Sequence, residues 1–207
     1  RYAIDLPGRA DSQGPALEEV SSMAAVVDEL ARSEIDGPYV VLGHSLGGAV
    51  ALEHAIAETS EQLAGIVLLA TGARLRVQPL ILQLHEAAAK ADSPLPQLPP
   101  GLFEESTEPA LIAAVESQRR SVPVRTALSD WRAADAFDRM KDLGRIDVPA
   151  LIVAGTKDRL TPPKYAAYMA ANIPTHELHL LEGAGHMLIM ERADQLAALI
   201  DGFVARL

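Results

Sequence analysis

Cysteine is absent from this chain of 207 residues. Its absence excludes disulfides, thiolate metal sites and a cysteine nucleophile. It also fits a reducing compartment, so we expect a cytoplasmic location. Positive charge is scarce as well, because 18 Lys and Arg face 28 Asp and Glu and the formal net charge is −10. An acidic surface repels phosphate groups, so we expect no nucleic-acid partner and no anionic membrane partner.

Long hydrophobic runs are also lacking. No apolar stretch approaches the roughly 18 residues that a membrane-spanning helix needs, so we expect no membrane span. Hydrophobic residues nevertheless make up 49% of the chain and charged residues 22%. This composition is typical of one globular domain with a well-packed core. It leaves the oligomeric state open.

Short apolar runs alternate with helical patterns along most of the chain, which is typical of βαβ units around a parallel sheet. The sequence therefore predicts an α/β fold with a mostly parallel sheet flanked by helices. Strands are predicted at residues 2–6, 39–42, 64–70, 149–154 and 176–181, and helices at 17–33, 47–58 and 192–206.

Nearly eighty residues without a strand signal separate two of these strands. Helical patterns at 77–90 and 109–120 flank a proline-rich stretch, SPLPQLPPG. Connections of this length are usually functional, so we predict a helical cap or lid at 73–143 and a core at 1–72 and 144–207. A helical insertion without a role is the alternative. Seven apolar residues could line a pocket or simply pack the cap onto the core: Leu80, Ile81, Leu84, Leu102, Phe103, Leu111 and Ile112.

The stretch YVVLGHSLGGAVALEHA places Ser45 where a predicted strand turns into a predicted helix. A tight turn of this kind exposes its middle residue and needs very small residues two positions before and after it, here Gly43 and Gly47. Gly48 would let the helix approach the sheet closely. The helix start also presents free N–H groups, so the Leu46 N–H is the expected oxyanion donor.

A serine nucleophile needs a histidine base and a carboxylate that orients it. His186 lies in the glycine-rich loop LEGAGHMLIM after the last predicted strand, and Asp158 lies in GTKDRLTPP after the strand before it. Residues at the carboxyl ends of parallel strands converge on one crevice, where Ser45 also stands. His44 is not expected to be the base, because adjacent residues in a sharp turn point apart. For the remaining four histidines a structural role is the more common explanation: His54, His85, His176 and His179.

The chain resembles the α/β-hydrolase superfamily, in particular its capped, esterase-like branch. The resemblance rests on GHSLGG, GTKDRLTP, EGAGHMLIMERADQLAALIDGFV and DLPGRADS, and it covers nearly the whole chain outside the predicted cap. It implies Ser45 as nucleophile, His186 as general base and acid, and Asp158 as the group that holds His186. Leu46 would be one oxyanion donor, with no metal and no cofactor.

The resemblance also implies elements that this sequence does not contain. Members of the superfamily carry three further strands and a His-Gly oxyanion loop ahead of the first predicted strand. Losing the third strand would leave unpaired backbone in the middle of the sheet. We therefore expect a further N-terminal segment of roughly 40 to 70 residues that completes the sheet.

These observations predict a serine hydrolase that cleaves a carboxylic ester or related acyl bond of a small molecule through an acyl-enzyme. The same triad also serves thioesterases, lactonases, C–C bond hydrolases and acyltransferases, so these remain alternatives. A protein that keeps the triad but only binds a ligand is a further alternative. The sequence does not name the substrate.

Overall fold

The computed structural model describes residues 1–57 and 61–207. Four strands form one parallel sheet in the order in which they occur along the chain. They are β1 (Tyr39–His44), β2 (Leu63–Leu69), β3 (Ala150–Gly155) and β4 (His176–Leu181). Register pairs Gly43 with Leu68 and Ile66 with Ala150.

Eight α-helices accompany this sheet in the described part of the chain. They are α1 (Val20–Glu34), α2 (Leu46–Ile56), α3 (Pro79–Ala91), α4 (Pro109–Arg119), α5 (Val124–Ala136), α6 (Pro163–Asn172), α7 (Leu188–Glu191) and α8 (Ala193–Val204). A short 3₁₀ helix at Leu143–Arg145 precedes β3. Among the described residues, no helix is both long and apolar enough to cross a bilayer.

The two central strands are buried on both faces. Ile66 and Leu68 of β2 point into a core formed with α1, α2, α5 and α6, whereas Val67 and Leu69 point into a second core formed with α7 and α8. Helices on both faces of a parallel sheet require strands that are apolar at every position, and this explains the uninterrupted runs in the sequence. The parallel α/β fold is confirmed.

The predicted strand at 2–6 is wrong. Residues 1–5 are exposed and lack regular structure, and β1 is an edge strand of the described sheet. A strand needs a neighbouring strand that satisfies its backbone N–H and C=O groups, and this stretch forms no strand pairing with any described residue. The side chain of exposed Tyr2 instead donates a hydrogen bond to the Glu34 carbonyl at 3.2 Å.

The other predicted strands are each present with ends that shift by at most two residues, and the helices at 17–33 and 192–206 shift by at most three. The helix predicted at 47–58 is α2, and the predicted end at Glu58 lies outside the described residues. The predicted helices at 77–90 and 109–120 correspond to α3 and α4. Helices α5, α6 and α7 were not predicted.

Candidate active site

The turn between β1 and α2 holds Ser45 in a strained conformation, with φ 54° and ψ −117°. Its N–H donates to the Leu69 carbonyl at 2.9 Å, and the Thr71 hydroxyl donates to its carbonyl at 2.7 Å. Residues with positive φ persist only where the surroundings hold them, and β2 provides that support here.

Two of the three glycines around Ser45 are required by space. A Cβ on Gly43 would lie 1.9 Å from the Gly47 carbonyl oxygen, and one on Gly48 would lie 2.5 Å from Thr71 Cγ2. A Cβ on Gly47 would meet nothing within 4 Å. The expectation that a side chain would collide at both positions is therefore correct for Gly43 and wrong for Gly47. A side chain at residue 43 would strike the backbone of residue 47, whereas a side chain at residue 47 would point into open space.

The structure brings Ser45, His186 and Asp158 into one hydrogen-bonded chain. His186 Nε2 lies 2.9 Å from Ser45 Oγ, and His186 Nδ1 lies 2.9 Å from Asp158 Oδ2. A carboxylate only accepts, so Nδ1 carries the proton and Nε2 is free to accept from the serine hydroxyl. His186 and Asp158 are 2% and 4% exposed, so their hydrogen bond is shielded from water.

The loop after β3 prepares Asp158 as a charged acceptor. Its Oδ1 accepts the N–H groups of Leu160 and Thr161 at 2.8 and 2.9 Å, and its Oδ2 accepts the Thr161 hydroxyl at 2.8 Å. Burial on its own raises the pKa of this carboxyl. The hydrogen bond and charge of His186, together with the Thr161 donors, outweigh burial and hold the pKa below its ordinary value.

His44 is not expected to be the base, and the structure places it against the backbone of the loop that carries His186. Its Nε2 lies 2.8 Å from the His186 carbonyl oxygen, and the two rings are 5.0 Å apart. A carbonyl only accepts, so His44 donates through Nε2–H. Loss of hydration and the neighbouring His186 lower the pKa of His44 to about 4, so its ring is neutral at pH 7. No local signal predicts this contact, because it joins residues 142 positions apart.

Leu46 is the first residue of α2. The first N–H groups of a helix have no carbonyl one turn earlier in the helix to bond. The Leu46 N–H, directly after Ser45 in the chain, therefore has no acceptor within its own helix, and its role as an oxyanion donor stays a prediction.

A cavity of about 490 Å³ opens at Ser45. The α3–α5 segment contributes most of its apolar walls, through Leu95, Leu98, Leu102, Val115, Val122, Ala127 and Trp131. Of the seven apolar residues singled out in the sequence, Leu102 lines this cavity, and Phe103 and Ile112 line a neighbouring one of about 860 Å³. Leu80 and Leu84 are 61% and 48% exposed, so they do not line it.

Three polar side chains at the cavity wall are paired within the protein. Trp131 Nε1–H donates to His85 Nε2 at 3.1 Å, while His85 Nδ1 lies 2.8 Å from the Ile81 carbonyl. Asp130 forms an ion pair with Arg9, from the loop that follows residue 6. Because these side chains bond to other groups of the protein, most of the wall that faces a ligand is apolar, which suits a hydrophobic ligand.

Comparisons with known proteins identify the family. The model of the family described as "Alpha/beta hydrolase family" matches residues 1–199. A pimeloyl-[acyl-carrier protein] methyl ester esterase of Neisseria meningitidis serogroup B (strain H44/76) is 30% identical, over 98% of this chain and 81% of that protein.

Solved structures give the same result. A thermophilic esterase superposes with a TM-score of 0.80 at 33% identity, over 100% of this chain and 81% of that chain. The enol-lactonase from Burkholderia xenovorans LB400 superposes with a TM-score of 0.83 at 22% identity, over 97% of this chain and 79% of that one. The second likeness concerns the fold alone.

Proposed function

The chain belongs to the α/β-hydrolase family, and from this premise we propose that it is a serine esterase that cleaves carboxylic esters with an apolar acyl group. The observation that supports this proposal most directly is the continuous hydrogen-bonded path from Ser45 through His186 to Asp158. A protein that only binds a ligand would have no need of this path.

The reaction begins when Ser45 Oγ attacks the ester carbonyl carbon and its proton moves to His186 Nε2. The carbonyl oxygen becomes an oxyanion, which accepts a hydrogen bond from the Leu46 N–H. As the C–O bond to the alcohol breaks, His186 returns the proton to the leaving oxygen. Water then attacks the acyl-enzyme with His186 as base, and the acid leaves while Ser45 regains its proton.

Asp158 keeps the imidazole in the tautomer that this cycle requires. Its charge also stabilises the imidazolium that forms each time His186 accepts a proton. The Thr161 donors hold Asp158 in place. These steps use the side chains of Ser45, His186 and Asp158, the Leu46 N–H and water.

The helical segment 73–143 acts as the cap of this site. It supplies Leu95, Leu98 and Leu102 to the cavity wall, facing Ser45 and Leu46 of the core. A volume of about 490 Å³ with apolar walls suits an acyl chain of several carbons. The Neisseria relative is named as a pimeloyl-[acyl-carrier protein] methyl ester esterase, so a methyl ester of a medium-length acyl chain is one specific candidate substrate. A cytoplasmic location remains a prediction from the lack of cysteine.

A panel of p-nitrophenyl esters with acyl chains of two to twelve carbons tests this function. We expect kcat/KM to rise from two carbons to a maximum at medium length and to fall when the chain outgrows the cavity. The variant Ser45→Ala should lose this activity at every length. Equal activity of Ser45→Ala and wild type would refute the proposal. A matched thioester in the same panel separates esterase from thioesterase activity.

A further inference from the structure

The backbone around His186 is held at three consecutive residues. The Gly185 N–H donates to Glu191 Oε2 at 2.5 Å, the His186 carbonyl accepts from His44, and the Met187 N–H donates to the Leu102 carbonyl at 3.2 Å. Two of these three contacts lead to the segment between α3 and α4. The position of the imidazole therefore depends on residues well outside its own loop.

Glu191, the last residue of α7, makes three hydrogen bonds that connect the His186 loop to the segment between α3 and α4. Its Oε1 accepts the Glu104 N–H at 3.0 Å and the Thr107 hydroxyl at 3.2 Å, while its Oε2 accepts the Gly185 N–H. One carboxylate thus joins the 104–107 segment to the residue directly before His186. An ionised carboxylate is suited to this because it has acceptor sites on both oxygens and donates nothing.

The two segments are in close contact where Glu191 joins them. A Cβ on Gly185 would lie 2.7 Å from the Glu104 nitrogen and 3.0 Å from the Phe103 carbonyl carbon. The backbone at 103–104 therefore lies directly over Gly185, and Leu102, one residue earlier, lines the cavity beside Ser45. A shift of this segment moves the cavity wall and the His186 loop together.

We propose that Glu191 is a positioning residue that couples the cap to His186. It keeps the imidazole within hydrogen-bond distance of Ser45 only while residues 102–107 pack against the His186 loop. This inference rests on the proposed function, because it assigns Glu191 a role through the triad. A displacement of about 1 Å in a reacting group can reduce a rate by about 10²-fold. Glu191 is therefore expected to influence kcat without touching the substrate.

The rate at which a small fluorophosphonate labels Ser45 reports the positioning directly. The probe needs the base His186 but is too short to reach the cap wall, so a looser substrate pocket leaves its rate unchanged. We expect Glu191→Ala to slow labelling by at least about tenfold, and to lower kcat on p-nitrophenyl acetate by the same factor with little change in KM.

Two further variants separate positioning from general damage. In Glu191→Gln the amide oxygen can still accept from Gly185, but the amide NH₂ then faces the Glu104 N–H, so we expect a smaller decrease than in Glu191→Ala. Glu182→Gln removes the same charge from an exposed carboxylate of the same loop, which makes no side-chain hydrogen bond to any described residue. It should label at the wild-type rate.

The outcomes are distinct. Labelling of Glu191→Ala within threefold of wild type, or a raised KM with unchanged kcat, would overturn the inference while leaving the esterase proposal intact. If Glu191→Ala is too unstable to assay, Glu191→Gln serves as the test variant. An unchanged labelling rate in Glu191→Gln would then overturn the inference. Wild-type protein that is not labelled at all would refute the proposed function and this inference with it.

Discussion

His44 should make the fold sensitive to mild acid, and its substitution should remove that sensitivity. Its pKa falls from an ordinary 6.5 to about 4 in the folded chain, chiefly through loss of hydration and also through the neighbouring His186. In the unfolded chain the ring is hydrated and protonates near pH 6.5. Between these two values the unfolded state therefore binds more protons than the folded state.

The sign and size of the effect follow from this difference. The contribution is fully present above about pH 6.5 and is lost as the pH falls toward 4, so the free energy of unfolding decreases on acidification. A difference of 2.5 pH units corresponds to up to about 3 kcal/mol. That is a large share of the 5–15 kcal/mol typical of a domain, on the order of a third.

His44→Gln is the matched variant, because a glutamine amide can still donate to the His186 carbonyl but does not titrate in this range. Urea denaturation of both proteins at half-unit steps from pH 7.5 to 4 measures the two profiles. We expect the wild type to lose up to about 3 kcal/mol more than the variant over this range. Burial also lowers the pKa values of His54 and His85. Because both residues are present in both proteins, their contributions to the pH dependence of unfolding cancel in the comparison. Parallel profiles would refute the reasoning.

Three further predictions concern the turn, the triad and a partly buried ion pair. Gly43→Ala should destabilise the fold by about 1–3 kcal/mol in urea denaturation, because its Cβ would meet the Gly47 carbonyl, whereas Gly47→Ala should unfold like wild type; equal midpoints would contradict this. Asp158→Asn should lower kcat on p-nitrophenyl esters by about 10⁴-fold by leaving His186 in the wrong tautomer, and a loss below tenfold would count against the triad. Arg139→Gln should cost about 2 kcal/mol or more, because Glu53 is 7% exposed and accepts two Arg139 hydrogen bonds at 2.7 and 2.5 Å. The double variant with Glu53→Gln should recover part of that loss, and additive losses would argue against the pairing.

The parts of the fold that the sequence predicts well are those with a strong local pattern. The strands β2 and β3 are apolar at every position because helices cover both of their faces, and such runs are easily recognised. The stretch at 2–6 has a similar short apolar pattern but forms no strand, since pairing depends on a neighbour and not on the stretch itself. Helix α6 was not predicted because its buried residues are Ala166, Met169 and Ala170, and two alanines beside one methionine give only a weak helical pattern of large apolar residues.

The candidate site divides in the same way. Ser45, Asp158 and His186 could be predicted because each follows a strand, and parallel strands deliver their following loops to one edge of the sheet. His44 and Glu191 could not, because their contacts depend on how distant loops cross. His44 meets residue 186, and Glu191 meets residues 104 and 107, so no spacing within a motif indicates either contact.

The central claim is that Ser45 is a nucleophile activated by His186, and active-site titration with diethyl p-nitrophenyl phosphate tests it most directly. The serine oxygen would bond to phosphorus as p-nitrophenolate leaves, and His186 would take the serine proton. We predict the release of one equivalent of p-nitrophenolate per chain and one diethylphosphoryl group that peptide mapping places on Ser45, with both lost in His186→Ala. Phosphorylation at another residue, or stoichiometric labelling that persists at the wild-type rate in His186→Ala, would contradict the account.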